Sequence, residues 1–187
     1  MGKVIIFSAP SGSGKTTIVK ELLARYPQLE FSISATSRAP RGQEQNGVDY
    51  YFLSQEEFAR AVAEKRFVEW EEVYKGTCYG TLRSEVERIW AKGHVIVFDV
   101  DVMGGINLKG IFGEAACSIF IMPPSVEELR RRLVTRGTDA PEAIERRVAK
   151  ARFELTKAPQ FDHVVVNDRL DEAVAEACRI LDEFFAR

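Results

Sequence analysis

Short apolar runs alternate with stretches of helical periodicity along most of this chain. The runs are continuous, which is typical of strands buried on both faces of a sheet. They are Lys3–Phe7, HVIVFDVD (94–101), CSIFIM (117–122) and HVVV (163–166). Between them, apolar residues recur three and four positions apart, as on one face of a helix. This order of elements predicts an α/β fold, a parallel sheet flanked by helices.

Four helices can be located from local signals. Pro27 ends the helix that follows the first strand. Ser54 and Ser125 each precede a glutamate by three residues, the spacing of a capping box at a helix start. The C-terminal helix is expected to bury one stripe of side chains, formed by Leu170, Val174, Ala177, Cys178, Leu181 and Phe185.

Two segments interrupt the alternation of strands and helices. Residues 34–82 are polar, aromatic and β-like around one helix, and residues 126–157 form two charged helices joined by residues 136–139. Both are expected to be insertions into a single domain, 1–187, whose core is 1–33, 83–125 and 158–187. A chain of 187 residues is long enough to bury one packed core.

Composition and charge narrow the classes of function. The net charge of −2 gives no overall attraction to nucleic acid, and RRRLVTR (130–136) has no aromatic stacking surface beside it. No apolar stretch reaches the ~18 residues that a membrane-spanning helix needs. The three cysteines stand singly, which favours reduced thiols. We therefore expect a cytoplasmic protein that binds neither nucleic acid nor membrane.

Residues 8–17, SAPSGSGKTT, follow the first strand and match a phosphate-binding loop. From Ala9 to Thr16 the pattern is GxxxxGK[ST], with Ala9 in place of the first glycine. Backbone N–H groups of such a loop, and the positive end of the following helix, bind phosphate oxygens. Lys15 is expected to reach the β- and γ-phosphates and Thr16 to bind Mg²⁺. The fold is thus predicted to be of the P-loop NTPase type, with a loop that binds the phosphates of a nucleotide through Ala9, Pro10, Ser11, Gly12, Ser13, Gly14, Lys15, Thr16 and Thr17.

Two carboxylates stand at the end of the strand HVIVFDVD. Asp99 and Asp101 are expected to face the ligand crevice at the carboxyl edge of the parallel sheet. Asp99 is the candidate to support Mg²⁺ together with Thr16, directly or through a water. Residues 101–104 also fit the DxxG of regulatory GTPases, but the sequence contains no guanine-reading NKxD, which disfavours a GTPase.

A second phosphate site is indicated in SATSRAPRG (34–42). Arg38 and Arg41 lie three apart in an extended stretch, and guanidinium forks match phosphate oxygens. Tyr50 and Tyr79 can add hydroxyl donors. Glu69, in FVEW (67–70), stands between apolar neighbours, a costly position for a carboxylate without a partner. Its oxygens suit the adjacent N1–H and N2–H₂ donors of guanine, whereas adenine presents a lone pair.

Taken in order, these motifs resemble those of the guanylate kinases over nearly the whole chain. They are the phosphate loop, SISATSRAPR (32–41), NGVDY (46–50), FVEW (67–70), YGT (79–81), the FDVD strand end, RGTD (136–139) and VVND (165–168). The resemblance implies transfer of the γ-phosphate of ATP to GMP, and to dGMP, with Mg²⁺ as cofactor, in purine nucleotide metabolism. It also implies that 34–82 is the GMP-binding region and 126–157 a mobile lid.

The same resemblance implies roles for individual side chains. The residues implied to bind GMP are Ser34, Arg38, Arg41, Tyr50, Glu69, Tyr79, Thr81, Asp99 and Asp101. Asn167 is implied to lie near the adenine of ATP. The residues implied to act on the transferring phosphoryl group are Lys15, Arg38, Arg132, Arg136 and Arg147.

The chain departs from the family pattern at three positions. Ala9 replaces a glycine, Cys78 replaces the first tyrosine of a pair, and Met103 stands where the family often has glutamine. The tyrosine implied to bind phosphate, Tyr79, is retained. At position 103, the departure affects any polar contact that a glutamine would make from there.

Two alternatives to a guanylate kinase remain at this point. One is a kinase for another nucleoside monophosphate, which Glu69 disfavours where the base is adenine. The other is a non-catalytic guanylate-kinase-like interaction domain, which the intact Lys15 and Arg136 disfavour. Both histidines, His94 and His163, stand at strand starts and are expected to be structural.

Overall fold

The apolar runs of the sequence form the strands, and the periodic stretches form the helices. The structure, a computed structural model, describes residues 2–137 and 140–187. The strands are β1 (Val4–Ser8), β2 (Leu29–Phe31), β3 (Ala35–Thr36), β4 (Tyr51–Phe52), β5 (Phe67–Tyr74), β6 (Thr77–Leu82), β7 (Val95–Asp99), β8 (Ala116–Met122) and β9 (His163–Val166). The helices are α1 (Lys15–Arg25), α2 (Gln55–Ala63), α3 (Arg83–Ala91), α4 (Val102–Phe112), α5 (Val126–Arg136), α6 (Pro141–Leu155) and α7 (Leu170–Phe185).

The described residues divide into two compact units. Unit 1 comprises Gly2 and Gln28–Val97, and unit 2 comprises Lys3–Pro27 and Phe98–Arg187. In unit 1, β2 pairs in parallel with β7 from Leu29–Val95 to Phe31–Val97, and the boundary between the units falls within β7. Segment 34–82 lies in unit 1 and segment 126–157 in unit 2. Their roles as a GMP-binding region and a lid stay predictions.

Unit 2 is built on parallel strands. β1 pairs with β8 from Val4–Ala116 to Ser8–Phe120, and β8 pairs with β9 from Ile119–His163 to Met122–Val166. Every residue of β1 is buried, and α1 and α4 both pack on this strand. The predicted α/β fold, a parallel sheet flanked by helices, is therefore confirmed. β1 ends at Ser8, where the phosphate loop begins.

The stripe predicted for α7 is partly wrong. Its buried side chains are Ala173, Val174, Ala177, Ile180, Leu181 and Phe184. Leu170 is 42% exposed, and Cys178 and Phe185 are only half-buried. Successive helical residues differ by only ~100° of rotation, so the apolar pattern of α7 fits either set. Packing of α7 against α1 and β9 selects the set that is buried.

Unit 1 contains a second sheet, of order β4-β3-β6-β5. β5 and β6 are antiparallel, and β3 pairs with β6 on one side and with β4 on the other. Phe58 of α2 stacks on Phe67 of β5, with 4.5 Å between ring centroids, in a small apolar core. Gly80, in YGT, has to be glycine because a Cβ there would lie 2.8 Å from the Cβ of Trp70. β5 and β6 are thereby held close together beside Glu69.

The two charged helices of 126–157 form as predicted. α5 and α6 pack on each other through Leu129, Leu133, Ile144, Val148 and Ala151. Thr138 and Asp139, from RGTD, lie outside the described residues. The Ser125 hydroxyl accepts the Glu128 N–H at 3.0 Å, but the Glu128 carboxylate accepts hydrogen bonds from Arg131 and Arg132. At Ser54 both halves of the predicted capping box are present.

Among residues 2–137 and 140–187, none of the helices is both long enough and apolar enough to span a bilayer.

Candidate active site

The phosphate loop joins β1 to α1 in unit 2. Gly12 and Gly14 have φ angles of 95° and 86°, in the left-handed region that favours glycine. A Cβ on Gly14 would also lie 2.2 Å from Nδ2 of Asn167, so the loop approaches this side chain closely. The Asn167 amide donates to the Ser13 carbonyl at 2.7 Å. The structure thus brings together the predicted loop and the residue predicted to lie near adenine.

Lys15 is held at the end of β7. Its amine donates to the Val100 carbonyl at 3.0 Å and forms an ion pair with the Asp99 carboxylate. Both side chains are about one-fifth exposed, at 17% for Lys15 and 21% for Asp99. Thr16 follows in the first turn of α1, where it is exposed. A lysine, a carboxylate and a hydroxyl therefore stand beside the loop.

The sequence predicted that Asp101 ends the strand, but the structure places it after the strand. β7 stops at Asp99, and Asp101 is the N-cap residue of α4, with its Oδ1 accepting the Gly104 N–H at 3.0 Å. Its carbonyl accepts the Ser8 hydroxyl at 3.1 Å. The DxxG pattern of residues 101–104 is thus a helix cap, because an aspartate at this position satisfies a free N–H group of the first turn.

Two of the three predicted lid arginines already contact the neighbourhood of the loop. The Arg147 guanidinium donates to the Ser11 hydroxyl at 2.7 Å. Arg132 pairs with Glu128 and donates to the Asn167 carbonyl at 3.0 Å. Arg136 is the last residue of α5 and is exposed. Within unit 2, the loop, α5, α6 and the residue after β9 therefore converge.

Glu69 and Thr81 face each other in unit 1. They are register partners on β5 and β6, and the Thr81 hydroxyl donates to Glu69 Oε1 at 2.9 Å. Thr81 is only 1% exposed, whereas Glu69 is half-buried. Ser34, the third predicted guanine contact in this unit, is half-buried and precedes β3. The hydrogen bond from Thr81 fixes the direction of the Glu69 carboxylate.

Arg38 is surrounded by partners. Its guanidinium makes two hydrogen bonds to Glu44, at 2.6 and 2.8 Å, and its Nε donates to the Tyr79 hydroxyl at 3.0 Å. It also lies over the ring of Tyr50, 5.0 Å from the centroid. Arg41 is exposed. The four residues predicted to hold the phosphate of GMP thus lie in one unit, and three of them are in mutual contact.

Comparison with known proteins decides the family. The family model described as guanylate kinase matches residues 1–184. The chain belongs to the guanylate kinase family. Guanylate kinases of Bacteroides fragilis and Porphyromonas gingivalis are 58% and 53% identical to it, covering 97% and 100% of this chain and 89% and 100% of their own. The crystal structure of guanylate kinase from Anaplasma phagocytophilum superposes with a TM-score of 0.77 at 33% identity, covering 97% of this chain and 85% of that one.

Membership of the guanylate kinase family confirms the predicted activity. The chain is an ATP:GMP phosphotransferase, a nucleotide-binding kinase of purine metabolism. The P-loop NTPase type of fold is confirmed by the same structural likeness. The two alternatives, a kinase for another monophosphate and a non-catalytic domain, are not favoured. The relatives that match nearly the full chain are named guanylate kinase.

Sequence reasoning missed Glu44. Its carboxylate accepts from Arg38 and from the Arg41 N–H at 2.8 Å, and these two contacts lower the pKa of Glu44 to about 2. The spacing R-x-x-R-x-x-E (38–44) was available as a signal, because an acid three residues after an arginine can cap the turn between them.

Glu85 was missed as well. It lies on α3 and is 2% exposed, although the pattern around it, RSEVERIW, reads as an amphipathic helix with a charged face. Burial alone would raise the pKa of Glu85, but hydrogen bonds from Arg88, the Ile33 N–H and Tyr51 lower it. The pair with Arg88 is local, but it is equally common on an exposed helix face, and the partners that enclose Glu85, Tyr51 and Ile33, lie 34 and 52 residues away.

Proposed function

We propose that unit 2 holds ATP and unit 1 holds GMP or dGMP, so that each unit of this kinase binds one nucleotide. The observation that carries the proposal is the distribution of the predicted side chains. All loop and lid candidates, with Asn167, lie in unit 2, and every GMP candidate except Asp99 and Asp101 lies in unit 1. The segments 34–82 and 126–157 are then the GMP-binding region and the lid.

The loop supports the ATP assignment. Its two glycines with positive φ give the loop the tight turn in which backbone N–H groups can point at phosphate, and the N-terminus of α1 adds a positive dipole end. The Ser13 hydroxyl is buried and has no hydrogen-bond partner among the described residues. A phosphate oxygen would supply that partner. Lys15 is proposed to place its charge on the transferring phosphoryl group, with Arg132, Arg136 and Arg147.

Thr16 and Asp99 fit a Mg²⁺ ion. The exposed Thr16 hydroxyl and the Asp99 carboxylate are hard oxygen donors in the same unit, and Mg²⁺ in kinases is held by one or two such groups plus substrate phosphates. When bound, the ion supplies neutralisation of phosphate charge. The chain's contribution is to offer these oxygens beside Lys15, whose amine holds the Asp99 carboxylate in place.

Glu69 supports the choice of guanine. One oxygen is oriented by Thr81, and the carboxylate can accept N1–H and N2–H₂ of guanine together. Ser34 and Asp101 are proposed as further contacts to the base. Arg41, with Tyr50, Tyr79 and Arg38, is proposed to hold the phosphate, since charge-assisted hydrogen bonds to phosphate are among the stronger ones.

The reaction requires no general base from the protein. The accepting phosphate has a second pKa of about 6, so it is largely ionised at neutral pH. Catalysis then consists of positioning two phosphates and compensating their charge. Closure of α5 and α6 over the phosphates is proposed to exclude water, which otherwise would accept the phosphoryl group. We place this activity in the cytoplasm, where single unpaired cysteines stay reduced.

A coupled assay of ADP release across GMP, dGMP, AMP, CMP and UMP tests this proposal. We expect GMP and dGMP to be the efficient acceptors and ATP hydrolysis without an acceptor to be slow. Comparable turnover of AMP and GMP would contradict the assignment of Glu69. ADP release at the same rate with and without GMP would contradict the proposed exclusion of water.

A further inference from the structure

The buried carboxylate of Glu85 ties together two segments of unit 1. It accepts the Ile33 N–H and the Tyr51 hydroxyl, each at 3.1 Å. It also accepts hydrogen bonds from Nε and Nη2 of Arg88, at 3.0 and 2.6 Å. Four hydrogen bonds satisfy an ionised carboxylate, so Glu85 is a fully connected charged group inside the fold.

Both neutral partners adjoin residues proposed to bind GMP. Ile33 directly precedes Ser34, and Tyr51 directly follows Tyr50. The Tyr51 N–H also donates to the Ser34 carbonyl at 2.9 Å, and Ala35 pairs with Tyr51 in the sheet. The Glu85 carboxylate therefore binds the residues next to Ser34 and Tyr50, where the chain enters β3 and β4.

Glu85 is itself held from behind. Arg88 also binds Glu30 on β2, and Glu30 accepts hydrogen bonds from Lys92 at 2.8 Å and from His94 at 2.7 Å. The network runs from the surface of α3 through Arg88 to Glu85, all within unit 1. A carboxylate anchored in this way cannot follow Ser34 and Tyr50 if they move.

Stability alone does not account for a carboxylate at this position. Replacing a buried ion pair by well-packed apolar side chains of similar volume is often neutral or stabilising, because two charges no longer have to lose their water. The helix face around Glu85 is already apolar, with Val86 and Ile89 buried. What an apolar side chain could not supply is the fixed direction of the bonds to Ile33 and Tyr51.

We propose that Glu85 is a positioning residue for GMP. It holds the segments of Ser34 and Tyr50 at the separation that guanine and phosphate require, so that GMP binds without a further ordering cost. This inference rests on the proposed function, because it assumes that Ser34 and Tyr50 contact GMP. Glu85 touches neither substrate nor the reacting atoms, and it acts through its two neutral partners.

The experiment compares Glu85→Gln with Glu87→Gln, an identical change on an exposed residue of the same helix. We expect Glu85→Gln to raise the KM for GMP about tenfold, equivalent to ~1.4 kcal/mol, with kcat and the KM for ATP within about twofold of the parent. Glu87→Gln should leave all three unchanged. A folded Glu85→Gln protein with an unchanged KM for GMP, or with equal rises in both KM values, would overturn the proposal.

A second variant covers the possibility that Glu85→Gln does not fold. Tyr51→Phe removes one hydrogen bond to Glu85 and keeps the ring, and should raise the KM for GMP about threefold while the KM for ATP stays constant. The double variant Glu85→Gln/Tyr51→Phe should raise the KM for GMP by less than the product of the two single effects, because both changes act on the one hydrogen bond between Tyr51 and Glu85. An unchanged KM for GMP in Tyr51→Phe would overturn the proposal by itself.

Two further variants separate failure of this inference from failure of the proposed function. Ser34→Ala and Tyr50→Phe alter the proposed GMP contacts directly, and each should raise the KM for GMP. If they do and Glu85→Gln does not, the positioning role is wrong and the site assignment stands. If neither changes the KM for GMP, the assignment of the site itself is wrong.

Discussion

Arg38 and Glu44 form a two-pronged ion pair, with Nη1–Oε2 at 2.6 Å and Nη2–Oε1 at 2.8 Å. The same guanidinium is bound by the Tyr79 hydroxyl, so its plane is fixed before any nucleotide arrives. A guanidinium held in this way loses little side-chain entropy on binding phosphate. The pair therefore links a residue found by sequence to one that only the structure revealed.

Arg38→Ala should raise the KM for GMP. Loss of charged hydrogen bonds to a phosphate corresponds to a change of about 10- to 100-fold, with a smaller effect on kcat. Steady-state kinetics with GMP varied at saturating ATP measure this. Arg60→Ala, at an exposed arginine on α2 of the same unit, is the control and should leave the KM unchanged. An unaltered KM for GMP in Arg38→Ala would remove this residue from the site.

Lys15→Ala should act on the chemical step. Its amine is the cation proposed to stabilise charge on the transferring phosphoryl group. Removal of one stabilising group of this kind lowers kcat up to ~10³-fold. The matched control is Lys20→Ala, on the exposed face of α1. Near-normal kcat in Lys15→Ala would show that the loop does not hold the transferring phosphate.

Glu69→Gln should relax the choice of base. The parent enzyme should prefer GMP over AMP by ~10⁴ in kcat/KM, because the wrong base leaves buried polar groups unpaired. An amide presents a donor where the carboxylate accepts, so much of this preference should be lost while the protein stays folded. Glu71→Gln, two residues along β5, is the matched substitution. A preference that survives Glu69→Gln would mean that guanine is read elsewhere.

Arg136→Ala should lower kcat far more than it raises either KM. An arginine placed on a transition-state phosphoryl group can raise kcat ~10³-fold or more. Arg136 is the last residue of α5. Arg146→Ala, at an exposed arginine of α6, serves as the comparison. Full activity in Arg136→Ala would exclude the residue from catalysis.

Closure of the lid has its own observable. We expect solution scattering to give a smaller radius of gyration with a bisubstrate analogue than without it, because α5 and α6 close only over both nucleotides. The hydrogen bond from Arg147 to the Ser11 hydroxyl already joins α6 to the phosphate loop. A radius that does not change on binding the analogue would contradict closure.

Acid should destabilise the fold through Glu30. Burial alone would raise the pKa of Glu30, but hydrogen bonds from Lys92, Arg88 and His94 lower it from 4.5 to about 2. A carboxyl whose pKa is lowered on folding adds stability that is fully present above the unfolded pKa and is lost as pH falls through the folded pKa. The free energy of unfolding should therefore decrease between about pH 4.5 and pH 2.

Urea unfolding at a series of pH values measures that decrease. Glu30→Gln should make the dependence on pH shallower over this interval, since the amide does not titrate. Glu87→Gln should leave the slope as it is in the parent. An equal slope in Glu30→Gln and parent would assign the acid sensitivity to other carboxylates.

The sequence by itself determined the elements and the motifs that local geometry encodes. Continuous apolar runs, helix caps and the loop from Ala9 to Thr16 depend on residues within a few positions of one another, so their spacing predicts them. The Glu69–Thr81 and Arg38–Tyr79 contacts could be predicted from the sequence only in part. The resemblance named the residues, and the pairing of β3, β5 and β6 brought them into contact.

Tertiary structure decided what depends on distant partners. Asp101 caps α4 because β7 stops two residues earlier, and α7 buries Phe184 rather than Phe185 because its neighbours select that face. Glu85 looks like a surface residue in sequence, yet it is buried, and two of its hydrogen-bond partners, Ile33 and Tyr51, come from segments 52 and 34 residues away. Periodicity reports which side chains share a face, whereas the cost of burying a charge is met only by partners that the fold assembles.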